Sequence, residues 1–411
     1  MRISFHYIRL GLLSQFIILG LLSACQHFAS APVREFVGFA GATDERTAAV
    51  GEKILLNKGN AADAAVAMLL HQAVVLPSRA GLGSGGICQI LDAENNQVKT
   101  LTFLPKKTSA TVGVPALPKG AFALQTRYGQ WRWSDVVQPA YEAANAPQEV
   151  SALVKKDTEA YQDSVFNQSM LVQPRLADTL QQLMQNGSGV FYKGELGKAI
   201  VEEHENQLNE QHYQTYAASW TDSIHVDLAE GRAYFPNTAA VGRAAPDLWQ
   251  WAHDNAEQSA PDGMGDMPMF ADQEMKSASV MAVDASGMVV VCSVSQGSAL
   301  GSQLFSQAGG FYLPEPIDSL QEQLFNALWT QPGSTKITYV MSLLGERALV
   351  AGVRLAQQVV QKGEKLEESV KATQSVVTFA DLADVPLLAC GAEGAAEPTL
   401  CQRQATRLIV K

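Results

Sequence analysis

The spacing of apolar and polar positions divides the chain into helical and strand-like stretches. An apolar run from Leu10 to Ala24 comes first. From Ala48 to Val75 the pattern is helical and alanine-rich, and Asn60 is placed to cap a helix by accepting a first-turn amide. Pro77 and a glycine-rich turn, Gly81–Gly86, follow. Ile87–Leu91 then reads as a strand, Asp92–Gln97 as a hairpin loop and Val98–Phe103 as the returning strand. Residues 118–146 return to helical spacing with a break at Tyr128-Gly129. A helical pair spans 174–206 around Phe191-Tyr192-Lys193-Gly194. Pro261–Met269 breaks all periodicity and reads as a linker. Beyond it the pattern turns to β. Val280–Asp284 and Met288–Val294 flank Ala285-Ser286-Gly287 as a hairpin, and 336–352 reads as a second hairpin turning at Gly345-Glu346. Residues 353–379 read as helix. This order predicts a layered α+β domain whose sheet is covered by helices.

The first segment changes the picture of where the chain resides. Leu10–Ala24 follows Arg2 and Arg9 and is shorter than the ~20 residues that span a bilayer as a helix. It reads as a secretory signal, residues 1–24. It ends in Leu22-Ser23-Ala24-Cys25, which resembles the bacterial lipobox, so cleavage before Cys25 and lipidation of its thiol are expected. Gln26 follows, with no aspartate of the inner-membrane retention type, and the outer membrane facing the periplasm is the expected location. Residues 25–47 then form a tether.

Composition adds exclusions. A hydrophobic fraction of 47% supports a real core, and a formal charge of -11 argues against nucleic acid as a partner. Of the five cysteines, Cys390 and Cys401 bracket a Gly/Ala/Glu-rich stretch open to closure by a disulfide. Cys88 and Cys292 lie in apolar runs and read as buried small hydrophobes. The seven histidines are scattered and no Cys-x-x-Cys pair occurs, so no zinc site is expected. Met264, Met267, Met269 and Met275 have no Cys or His alongside and read as linker rather than a soft-metal site. Gly81-Leu82-Gly83-Ser84-Gly85-Gly86 spells a dinucleotide fingerprint, but a strand follows it where the phosphate-binding helix would have to start. No cofactor is expected. Trp131 and Trp133 read as packing residues.

Several stretches, in order, resemble the γ-glutamyltransferase (γ-glutamyltranspeptidase) family. They are Gly59–Ala67, Val74–Pro77 with Gly81–Gly86, Tyr128-Gly129 with Val136–Ala140, Phe191–Gly194, and Val283–Val289. The resemblance implies an Ntn-hydrolase fold, a four-layer αββα sandwich, with residues 48–276 as the large-subunit-like region and 277–411 as the small-subunit-like region. It also implies a precursor that cuts itself to free an N-terminal hydroxyl nucleophile, with its own α-amine as base.

Counting back from Asp284 brings the nucleophile position to Ser277, with Ala278 and Ser279 next and Ser293 and Ser295 at supporting hydroxyl positions. Ser277 and Ser295 are thus the candidate catalytic residues. The pocket departs from the family pattern. Its carboxylate-binding arginine aligns near Leu104, with Lys106 and Lys107 as imperfect substitutes. Of its two carboxylates Asp318 survives, and Ser319 stands where the second would hold an α-amine. Its paired serines fall near Thr335 and Lys336, and the glycine pair for the oxyanion hole is not evident around Gly352-Val353-Arg354. Two expectations stay open. One is a degenerate envelope lipoprotein that binds a small γ-glutamyl or amide ligand, or a protein partner, without efficient turnover. The other is a self-processing N-terminal-nucleophile amidohydrolase, or γ-glutamyl hydrolase or transferase, using Ser277.

Overall fold

The computed structural model describes residues 37–161, 166, 168–228, 231–238, 245–247, 249, 276–317, 324–344, 352, 355, 358, 387–390 and 401–402. Its frame is two antiparallel sheets. The first is built from β1 (Gly38–Ala42), β2 (Gly85–Asp92), β3 (Gln97–Phe103), β4 (Ser219–Asp222), β7 (Ser277–Asp284) and β8 (Val289–Ser295), in the order β1-β7-β8-β2-β3-β4. The second holds β5 (Ile224–Leu228), β6 (Gly231–Phe235), β9 (Leu324–Thr330), β10 (Ile337–Leu344), β11 (Leu387–Cys390) and β12 (Cys401–Gln402), in the order β12-β11-β10-β9-β6-β5. Strands from either side of residue 276 therefore share one sheet, with β7 and β8 inserted between β1 and β2.

The helices before residue 160 are α1 (Glu45–Leu56), α2 (Ala61–Val75), α3 (Pro77–Ala80), α4 (Leu117–Tyr128), α5 (Trp133–Asn145) and α6 (Ala152–Asp157). α2 is the centre of the outer layer. Every residue in it is buried, in keeping with its largely small and apolar composition, because a helix apolar nearly all round has little face for water. Asn60 caps it as expected, in a full capping box with Asp63.

The faces of β7 and β8 sort by their period of two. Ala278, Val280, Ala282, Val290, Cys292 and Val294 join α2 in the main core. Ser277, Ser279, Ser293 and Ser295 share the opposite face, which meets the second sheet. There the Ser293 hydroxyl donates to Asn326 Oδ1 at 2.6 Å and pairs with the Ser342 hydroxyl at 2.8 Å, while Asn326 Nδ2 donates to the Ile87 carbonyl at 3.0 Å. On the outer side of the second sheet, Trp249 packs against Trp329 with ring centroids 5.7 Å apart. The order is helix, sheet, sheet, helix, the four-layer sandwich expected. Among the described residues no helix is long and apolar enough to cross a membrane.

The structure corrects two expectations. Cys88 and Cys292 are buried, but they are also bonded to each other as a disulfide across directly opposed positions of β2 and β8, with Cα atoms 4.0 Å apart. Such a close pair is what the narrow sites of an antiparallel ladder offer. The expected hairpin within 336–352 contributes one strand, β10, whose neighbours are β9 and β11; residues 345–350 lie outside the described set. Residues 353–379, read as helix, are likewise outside it except at 355 and 358. Cys390 and Cys401 stand opposite each other in β11 and β12.

His71, inside α2, shares a hydrogen bond with the Thr47 hydroxyl at 3.0 Å. Burial pushes its pKa down to about 4, so the folded chain holds it neutral while the unfolded chain protonates near 6.5. Stability from this group is present above pH 6.5 and is lost as pH falls toward 4. The loss is about 3 kcal/mol. Denaturant unfolding at pH 7 and at pH 4.5 should show a steeper decline for the wild type than for His71→Gln, and equal declines would refute it.

Candidate active site

The sequence-derived nucleophile position opens a central strand. Ser277 is the first residue of β7, 4% exposed, and it lies directly opposite Ser295, the last residue of β8. The Ser295 hydroxyl donates to the carbonyl of Lys276 at 2.7 Å and accepts from the Gly297 amide at 3.0 Å. The Lys276 amide in turn donates to the Gly297 carbonyl at 3.0 Å. The peptide joining Lys276 to Ser277 is thus held on one side by β8 and the turn after it, and its carbonyl oxygen already accepts a hydroxyl. A donor at that oxygen is the arrangement that stabilises negative charge if the carbonyl carbon is attacked.

A buried ionic cluster lies next to this junction. Arg79, on α3, grips Asp157 at the end of α6 through Nε at 2.6 Å and Nη2 at 2.8 Å, and the Ser78 hydroxyl donates to the same carboxylate at 2.9 Å. The Asp157 side chain is 0% exposed. Arg79 Nη1 reaches the Ser277 carbonyl at 3.4 Å, and Lys276 Nζ stands 3.9 Å from Asp157. The guanidinium fork matches a carboxylate in two parallel bonds. One ion pair therefore fastens α3 and α6 to the start of β7.

Glu315 forms the other flank. Its carboxylate accepts from the Ser298 amide at 2.8 Å and the Ser298 hydroxyl at 2.7 Å, and its amide donates to the Gln296 carbonyl at 3.0 Å. The nearby Tyr161 phenol donates to the Ala299 carbonyl at 3.3 Å. Burial raises its pKa, and the charge of Glu315 raises it further.

Ser277, Ser279, Ser293 and Ser295 are thus brought together on one face. Ser279 keeps a fully buried hydroxyl with no hydrogen-bond partner among the described residues, while its backbone pairs with Thr43. Leu104 packs against Ile87, Ile317 and Leu324. Lys106 and Lys107 are exposed, as is Lys336. Asp318, Ser319, Cys25, Val353, Arg354 and the methionine-rich linker lie outside the described residues. Among the described residues no three His, Cys, Asp or Glu side chains gather to hold a metal ion. The Arg79–Asp157 pair, Glu315 and the Asn326–Ser342 contact to Ser293 were not visible in the sequence pattern, since each depends on packing between distant segments.

Two facing antiparallel sheets between helical layers, with a hydroxyl residue opening a central strand, define this chain as an Ntn-hydrolase fold. The cephalosporin acylase from Bacillus halodurans has the same fold, with a TM-score of 0.68 over 89% of this chain and 95% of that one at 13% identity. The sequence relationship is narrower. The family model for gamma-glutamyltranspeptidase matches residues 47–106 and 103–248. Glutathione hydrolase 2 of Arabidopsis thaliana is 28% identical over 206 residues, which is 41% of this chain and 36% of that protein. The glutathione hydrolase proenzyme of Pseudomonas aeruginosa is 27% identical over 250 residues, 50% of this chain and 44% of that protein. The chain belongs to the γ-glutamyltranspeptidase family, and it spans less than half of the length of these curated relatives.

Proposed function

We propose that this chain is a γ-glutamyltranspeptidase-like envelope lipoprotein, anchored through Cys25, that binds a small ligand beside Ser277 without efficient turnover of γ-glutamyl amides. The observation that carries this reading is Leu104. Where the family resemblance expects an arginine for the substrate carboxylate, Leu104 joins an apolar cluster with Ile87, Ile317 and Leu324. A carboxylate brought there would lose its water and find no partner, which is costly. The Cys88–Cys292 disulfide supports residence in an oxidising compartment such as the periplasm. Residues 48–276 and 277–411 correspond in this reading to the large- and small-subunit-like regions.

A second reading rests on the Ser295 hydroxyl, 2.7 Å from the Lys276 carbonyl. It favours a self-processing amidohydrolase. Ser277 Oγ would add to the Lys276 carbonyl carbon, with Ser295 donating to the oxygen. Expulsion of the Ser277 nitrogen, which takes up the hydroxyl proton, would free the α-amine and leave an ester, and water would then cleave that ester to the Lys276 carboxylate and the Ser277 hydroxyl.

Intact mass under reducing conditions separates the two. The first reading expects wild type and Ser277→Ala each to remain one polypeptide of unchanged length, and neither to release p-nitroaniline from γ-glutamyl-p-nitroanilide. A wild type split between Lys276 and Ser277, with the variant whole, would replace the first reading by the second.

A further inference from the structure

We propose that Glu315 makes the ligand site beside Ser277 selective for amides whose other end carries a primary ammonium group, and against those carrying a carboxylate. This deepens the binding reading above and rests on it.

Glu315 is half-buried, and among the described residues no cation pairs with it. Its two hydrogen bonds both come from Ser298, one to each oxygen. A carboxylate has about four acceptor positions, so each oxygen keeps capacity for a further donor. A partly desolvated carboxylate without a cation is unfavourable alone and gains when a cation arrives.

Its position is fixed by the backbone. Pro314 and Pro316 restrict the chain on both sides, and the Glu315 amide is tied to Gln296. Gly297 provides the space: it has φ +93°, and a Cβ there would lie 2.1 Å from Glu315 Oε2. The carboxylate therefore presses against the same residue whose amide donates to Ser295 and whose carbonyl accepts from Lys276. One residue separates this fixed negative charge from the junction that opens β7. On the sheet face shared with Ser277, the buried, unpartnered hydroxyl of Ser279 offers a hydrogen-bonding group for the polar end of a ligand. A negative charge near the junction, with an apolar surface at Leu104 and a hydroxyl at Ser279, fits an aliphatic amide ending in an ammonium.

Calorimetric titration of the full mature chain with 5-aminopentanamide, glutaramate and pentanamide tests this, since the three differ chiefly in terminal charge. The cationic amide should bind at least roughly tenfold more tightly than the neutral one, as a charge-assisted bond to a carboxylate would give. Added salt should weaken that preference. Glu315→Gln, which keeps the shape and one acceptor for Ser298, should lose the preference while unfolding at the same temperature as wild type. Ser277→Ala should retain it. Tighter binding of glutaramate, a preference unchanged in Glu315→Gln, or no binding of any of the three would overturn the proposal. Failure of the binding-without-turnover reading shows separately, as a cut chain and released amine with the cationic preference intact.

Discussion

Replacing Asp157 with alanine should lower the unfolding free energy by about 3–5 kcal/mol, the range found when one partner of a buried ion pair is removed. The Asp157 side chain is fully shielded from water and accepts three hydrogen bonds, two of them from Arg79. Without it the Arg79 guanidinium stays buried beside the start of β7 with its charge uncompensated. The loss comes from that stranded charge more than from the missing attraction. Removing both charges as Arg79→Met with Asp157→Leu should therefore cost less than Asp157→Ala alone. Denaturant unfolding of the three chains decides it. A single variant within about 1 kcal/mol of wild type would mean that water compensates, and that the cluster does not hold the junction.

Asp63→Ala should have an effect of similar size for a different reason. Asp63 is 0% exposed and has no countercharge among the described residues; instead four donors converge on it. The Asn60 amide donates to one oxygen at 2.9 Å, and Gln125 Nε2, the Gln130 amide and the Trp131 amide donate to the other at 2.6, 2.9 and 3.1 Å. Three of these are backbone groups that cannot turn elsewhere. Each buried donor left unmade costs about 1–3 kcal/mol, and water entering the gap will satisfy part of them, so a loss on the order of 4 kcal/mol is expected. Asp63→Asn should fall between, because its amide nitrogen faces a donor on one side. The check is again equilibrium unfolding, with hydrogen exchange at Gln130 and Trp131 as a local readout. Unchanged protection there in Asp63→Ala would sink the assignment of Asp63 as the hub joining α2 to the α4–α5 turn.

The parts of this fold that were legible in the sequence are those with local causes. Asn60 announces the start of α2 as a capping residue, and the hairpins of β2 with β3 and of β7 with β8 announce themselves by apolar runs around short polar turns. Counting from Asp284 placed Ser277 and Ser295, because a strand pair in fixed register carries its residues along with it. What stayed hidden has causes far away in the chain. β9 is an apolar run without clear alternation, since both of its faces are covered, and β4 is short and largely exposed. The bonds from Asp157 to Arg79 and from Glu315 to Ser298 exist only once separate segments have packed. The Cys88–Cys292 bond spans a separation of 204 residues, and nothing in either apolar run names its partner.

That same bond joins the two regions on either side of Lys276. Cys88 belongs to the stretch before the junction and Cys292 to the stretch after it, so any cut between Lys276 and Ser277 would leave both pieces as one covalent body. A nick at this site would release a new chain end while releasing no fragment, and electrophoresis without a thiol reagent would show the same single band before and after.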